Sequence, residues 1–139
     1  MNFLLHTNVV SEWMKPQPNR GVIAWLAQAD EDRVFLSVIT LAELRYGIER
    51  MPHGSRRQRL SEWLEQELPV RFEGRVLDVD PFTADTCGTI IASSEAAGRP
   101  SAIMDAFIAA TAQVHSCTVV TRNLLHFAQL ANEVFNPWS

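Results

Sequence analysis

The sequence predicts a three-layer α/β/α sandwich around a central, mainly parallel sheet of four to five strands, and three observations carry that expectation. Short apolar runs at Phe3–Leu5, Val34–Ser37, Val76–Val79, Cys117–Thr121 and Val134–Phe135 have the length and composition of buried strands. Amphipathic stretches long enough to be helices lie between them, and no two strands are joined by a hairpin signal. The length of 139 residues is that of a single domain, 1–139, with enough chain to bury a core.

Each element can be justified in order. Phe3-Leu4-Leu5 is apolar at three successive positions, as expected of a strand covered on both faces and therefore central. The pattern stops at His6-Thr7-Asn8, and an amphipathic segment runs from Val9 to Met14. Pro16-Gln17-Pro18-Asn19 breaks it, and Asn19 is placed to cap a helix from Arg20 to Ala29 with Val22, Ile23, Trp25 and Leu26 inward. After the second strand, Thr40 with Glu43 three residues on has the pattern of a capping box opening a helix from Leu41 to Met51. Pro52-His53-Gly54 ends it, and the next helix runs from Ser55 to about Leu68, with Arg56, Arg57 and Arg59 on a solvated face. Asp80-Pro81 opens a helix through Ala97, stopped by Gly98 and Pro100. Ser101 begins another, to about His115. The β-branched run Thr118-Val119-Val120 supports the fourth strand, and a short helix from Leu124 to Leu130 precedes the edge strand.

Composition narrows the function classes. Apolar residues make up 47% and charged residues 20%, values of a globular rather than a disordered chain. No apolar run approaches a membrane span, and no signal peptide is expected. Cys87 and Cys117 sit in apolar surroundings and read as reduced core residues of a cytoplasmic protein. A net charge of −4 argues against a protein that coats nucleic acid. It leaves open an enzyme whose acids hold a metal ion against a phosphate.

Polar residues standing where apolar ones would cost less mark a candidate site. His6 falls at the carboxyl end of the central strand, where open α/β sheets build their active sites. Asp105 interrupts an otherwise apolar helix; buried there, a carboxylate is costly and a metal ion would make it tolerable, the alternative being an acid on the helix's solvated rim. Glu43 opens the helix after the second strand, and Asn123 follows the fourth; each also has a plain capping role. A parallel sheet brings all four to one edge. Hard cations such as Mg²⁺ and Mn²⁺ take oxygen ligands in such a place. Arg122 is a candidate phosphate contact beside them. His126, three residues past Asn123, is spaced to face the same cleft in a rim or RNA-contacting role, but reads more readily as a solvated helix residue.

The chain resembles PIN-domain ribonucleases of the VapC type, the toxin halves of VapBC toxin–antitoxin pairs, and among them the FitB-like branch. The matching segments are Leu4-Leu5-x-Thr7-Asn8-Val9-Val10-Ser11-Glu12, Ser37-Val38-Ile39-Thr40-Leu41-Ala42-Glu43-Leu44-Arg45-x-Gly47, Asp105-Ala106-x-Ile108-Ala109-Ala110-Thr111-Ala112, Thr121-Arg122-Asn123 and Phe135-Asn136-Pro137-Trp138. They cover the whole chain in order. The resemblance implies an endoribonuclease dependent on Mg²⁺ or Mn²⁺, a homodimer, and inhibition by a small DNA-binding antitoxin of the VapB or FitA kind. RNA is the implied substrate, transfer RNA being one candidate. It implies catalytic roles for His6, Glu43, Asp105 and Asn123, metal ligation by His6, Glu43 and Asp105, and substrate contacts by Thr7, Asn8 and Arg122. Two positions depart from the family pattern: His6 stands where the family has its first Asp, and Asn123 occupies the fourth acidic position. Imidazole is a poor ligand for Mg²⁺, so impaired activity is the expectation for this chain. The competing expectation is an inactive binding module that still dimerises and binds its antitoxin. A metal-dependent phosphatase on a similar sheet fits less well, because no Asp-x-Asp pair follows the first strand.

Overall fold

Strand β1, Asn2–Leu5, lies at the centre of a five-stranded sheet in a computed structural model that describes residues 1–139. On one side it pairs with β2 (Val34–Ser37), which pairs with β3 (Val76–Leu77). On the other it pairs with β4 (Cys117–Val120), which pairs with β5 (Val134–Phe135). All four pairings are parallel, in the order β3-β2-β1-β4-β5. The chain thus builds one half of the sheet outward from β1 and then returns to build the other. The reversal falls between β1 and β4, and the crevice of such sheets opens there, beyond the carboxyl ends of the strands.

Consecutive residues of the central strands feed opposite layers. Leu5 and Val120 enter a core with Val34 and Leu36, completed by Val9 and Val10 of α1 (Thr7–Val10), Val22 and Leu26 of α2 (Arg20–Gln28), and Leu44 and Ile48 of α3 (Val38–Glu49). Leu4 and Val119 face the other layer, where Cys87 and Ile90 of α6 (Pro81–Ala96), Ala106 and Ile108 of α7 (Ile103–Val114), and Phe127 of α8 (Leu124–Gln129) close over them. All four strand residues are fully buried. Each contributes roughly 1.5–3 kcal/mol by that burial, which fixes the register of the two strands that carry the site.

Three local outcomes differ from the sequence reading, each for a visible reason. The α3 helix opens at Val38, not Leu41, because the Ser37 hydroxyl accepts the Ile39 N–H at 3.0 Å and caps it first. Thr40 is therefore no cap, Glu43 no member of a capping box, and both are free for the crevice. The helix after it does not stop at Leu68. It runs as α4 (Ser55–Glu62), a π-helical turn (Trp63–Glu67) and α5 (Leu68–Arg71), passing through Pro69. A proline ring collides with the carbonyl four residues back, here Glu65. The wider turn, in which Leu68 N–H reaches back to the Trp63 carbonyl, lies where that collision would occur. Finally, β3 is shorter than expected: its partner β2 turns into α3 after Ser37, leaving Asp78 and Val79 without a ladder.

No helix is long and apolar enough to cross a membrane. The carboxyl terminus is docked against the start of α2, where the Asn19 carboxamide oxygen accepts the backbone N–H groups of Val22 and Ser139, each at 3.2 Å. Gly21 lies under this contact, and a Cβ there would stand 2.4 Å from the Pro137 carbonyl oxygen. Gly21→Ala should therefore cost about 1–3 kcal/mol, read as a lower urea midpoint. Gly47→Ala, in a helix with nothing within 4 Å of the added carbon, should stabilise instead. A Gly21→Ala midpoint equal to that of the parent protein would contradict this docking.

Candidate active site

His6 is the first residue beyond β1. Its N–H still donates to the Val120 carbonyl at 2.9 Å, so the strand geometry carries its side chain into the crevice between β1 and β4. The ring is almost wholly buried. Its Nδ1 lies 2.9 Å from the Thr121 hydroxyl, and its Nε2 lies 3.1 Å from Asp105 Oδ1. The hydroxyl decides the tautomer. Thr121 Oγ1 already accepts the Asn123 N–H at 3.0 Å and an Asn8 amide N–H at 3.4 Å, which use both lone pairs. Its own proton is left for His6 Nδ1. His6 therefore carries its ring proton on Nε2 and donates it to Asp105.

Asp105, in the first turn of α7, receives a second imidazole: His126 Nε2 is 3.3 Å from Oδ2. This pair is within ion-pair distance, whereas the His6 contact is the aligned hydrogen bond. Phe127 stands between the two rings, edge-on to His6 at 4.7 Å and to His126 at 5.2 Å between centroids. Burial alone pushes the Asp105 carboxyl up; the hydrogen bond and charge of His6, reinforced by His126, outweigh it and hold the group below its ordinary value.

The next residue reaches the other wall. Thr7 Oγ1 donates to Glu43 Oε1 of α3 at 2.6 Å and pairs with the Thr40 hydroxyl at 3.1 Å. Consecutive residues thus address the two carboxylates, His6 through α7 and Thr7 through α3. Asn8 joins them through Thr121, and its Oδ1 is buried with no protein partner. Asn123 enters by its backbone alone; its side chain is exposed and makes no cap. The Arg122 guanidinium lies over the Trp138 ring at 5.6 Å and is bonded to neither acid. The other arginine cluster is structural: Arg56 donates to the Met14 carbonyl, and Arg57 to Glu49 and the Ile48 carbonyl.

Thr40, Thr121, His126 and Phe127 were not legible as site residues. His126 carried a signal in its spacing of three from Asn123, but a histidine on a short polar-faced helix reads as solvated. No three of the histidine, cysteine, aspartate and glutamate side chains converge closely enough to ligate a divalent ion. Asp105 accepts from the His6 imidazole with a second imidazole beside it, and Glu43 accepts from a hydroxyl, so this arrangement does not fit Mg²⁺, which demands near-octahedral oxygen ligation.

Fold and site together define a parallel α/β protein with two carboxylates held at the topological switch point of its sheet. The chain belongs to the PIN-domain family, whose model matches residues 3–132 under the description "PIN domain". It is 43% identical over 135 residues to Toxin FitB of Neisseria gonorrhoeae, covering 97% of each chain. It is 37% identical to the VapC ribonuclease Y4jK of Sinorhizobium fredii, covering 97% of this chain and 96% of that one. Among solved structures, FitAB bound to an IR36 DNA fragment superposes with a TM-score of 0.91 at 41% identity, over 99% of this chain and 96% of that chain. DNA-bound VapBC from Salmonella typhimurium gives 0.82 at 29% identity, over 98% of both.

The hydrogen-bond network fixes one spectroscopic outcome. At a pH where the rings are neutral, ¹⁵N-labelled His6 should show a protonated Nε2 and an unprotonated Nδ1 in its NMR spectrum. Thr121→Val should loosen that preference. A protonated Nδ1 in the parent protein would contradict the assignment.

Proposed function

We propose that this chain is the toxin half of a VapC- or FitB-like toxin–antitoxin pair, built on an endoribonuclease centre that is impaired by His6. The observation that carries this reading is the His6 imidazole donating to Asp105. With Asp at position 6, three carboxylates would bring about −3 to one place, enough to hold Mg²⁺ or Mn²⁺ beside an RNA phosphodiester. With a neutral imidazole there, about −2 remains, and Asp105 is engaged by the His6 N–H instead, with the His126 ring at 3.3 Å. In the unimpaired form Glu43, Asp105 and the residue at position 6 are the ligands, Asn123 the fourth member of the catalytic set, and Thr7, Asn8 and Arg122 the RNA contacts.

The partner surfaces are proposed on the same basis. Ile103, Met104 and Phe82 leave large apolar side chains exposed, as a homodimer contact would. An antitoxin with a DNA-binding half and a basic side chain aimed at Glu43 and Asp105 suits the acidic crevice, since paired guanidinium and carboxylate groups bind strongly there. The second reading, a binding module that holds its antitoxin without cleaving RNA, is favoured by the same His6–Asp105 contact.

One side-by-side assay addresses both readings. His6→Asp should raise cleavage of a structured RNA in Mg²⁺ or Mn²⁺ by at least about a hundredfold, the scale of a lost metal-site group. Affinity for the cognate antitoxin should stay within about tenfold, because apolar anchors dominate such contacts. Equal cleavage by the two proteins would remove position 6 from the centre.

A further inference from the structure

Behind His126 a cleft of about 330 Å³ opens between α6, α7 and α8. Ile90 and Leu130 supply apolar surface, and Thr89, Ser93, Arg99 and Gln129 supply polar groups around it. Arg99, just past the end of α6, is exposed and donates to no acceptor, whereas Arg45, Arg57 and Arg71 are each paired with a glutamate. His126 belongs to both spaces. Its Nε2 lies 3.3 Å from Asp105 Oδ2, while its ring lines the cleft and its Nδ1 has no protein partner. With the ring proton on the nitrogen that faces the carboxylate, Nδ1 is an acceptor. The cleft therefore offers a free guanidinium for an anion and an oriented nitrogen lone pair for a hydroxyl.

We infer that this cleft takes one ribonucleotide of a single-stranded RNA, with Arg99 on its phosphate and His126 Nδ1 accepting from its 2′-hydroxyl. The inference rests on the reading of the chain as RNA-directed and adds to it the subsite that tells RNA from DNA. A 2′-hydroxyl is the group by which a protein makes that distinction at a given position. Asp105 has a second use here: its charge, 3.3 Å from Nε2, favours the ring proton on that nitrogen and leaves Nδ1 for the sugar.

The test is binding without divalent ions, so that no cleavage interferes, using fluorescent single-stranded oligonucleotides between 50 and 200 mM salt (about the range over which phosphate contacts register). The parent protein should bind RNA about tenfold more tightly than DNA of the same sequence. Arg99→Gln should weaken both and reduce the slope of log affinity against log salt by about 0.7, the value of one phosphate contact on a single strand. His126→Phe should abolish the preference for RNA with little change in slope. Replacing the 2′-hydroxyl by 2′-O-methyl at a single position, which removes the donor and needs no protein variant, should lose the same factor. An unchanged slope in Arg99→Gln, or no loss with any 2′-O-methyl substitution, would overturn the assignment. A nucleoside monophosphate binding as tightly as the oligonucleotide would make this a small-molecule site and overturn it as well. If the parent protein binds neither nucleic acid, the RNA-directed reading itself fails and the subsite falls with it.

Discussion

A carboxylate placed largely out of water at the start of a packed helix must be given donors or a cation. Asp105 is that group, and the arrangement of the β1–β4 side of the sheet edge follows from how it is satisfied. An unpaired buried charge costs several kcal/mol. Here the His6 imidazole bonds one oxygen, and the His126 imidazole stands 3.3 Å from the other. The consequence extends outward. The His6 proton on Nε2 forces Nδ1 to accept from Thr121, and Thr121 in turn holds the Asn123 backbone and Asn8. An acid at position 6 would add negative charge in this place. This chain satisfies Asp105 with a donor of its own instead, and about −2 remains from Glu43 and Asp105.

Topology makes that network possible. His6 follows β1 and Thr121 follows β4, adjacent parallel strands at the point where the chain reverses its direction of building. Neither residue needs a long loop to arrive. Phe127 is fully buried between the two imidazole rings, so the aromatic packing of α8 and the hydrogen bonding of α7 hold the same geometry. The opposite wall is independent of it. Thr7 addresses Glu43 and Thr40 on α3 with no contribution from α7.

The sheet and its flanking helices were legible because strand and helix periods differ and because apolar residues at successive positions mark a doubly covered strand. His6, Glu43 and Asp105 were legible because each is a polar residue in an expensive place. What escaped depends on competition that a sequence does not display. Ser37 and Thr40 are both acceptable helix caps, and only the point where β2 ends decides between them. Pro69 reads as a helix stop unless the chain pays for a widened turn, as it does at Trp63–Glu67. His126 looks solvated until the register of α8 against α7 is known. Phe127 is an ordinary core residue by pattern, and its role between two imidazoles exists only in three dimensions.

The central claim is that His6 keeps Asp105 engaged where, as we propose, an acid at position 6 would let the site hold a cation. Calorimetric titration of Mn²⁺ into the parent protein and into His6→Asp, with no RNA present, tests it most directly. The account predicts binding to His6→Asp at least about tenfold tighter than to the parent, the lower end of the effect of altering a metal site's supporting groups. Equal affinity in the two proteins would contradict it.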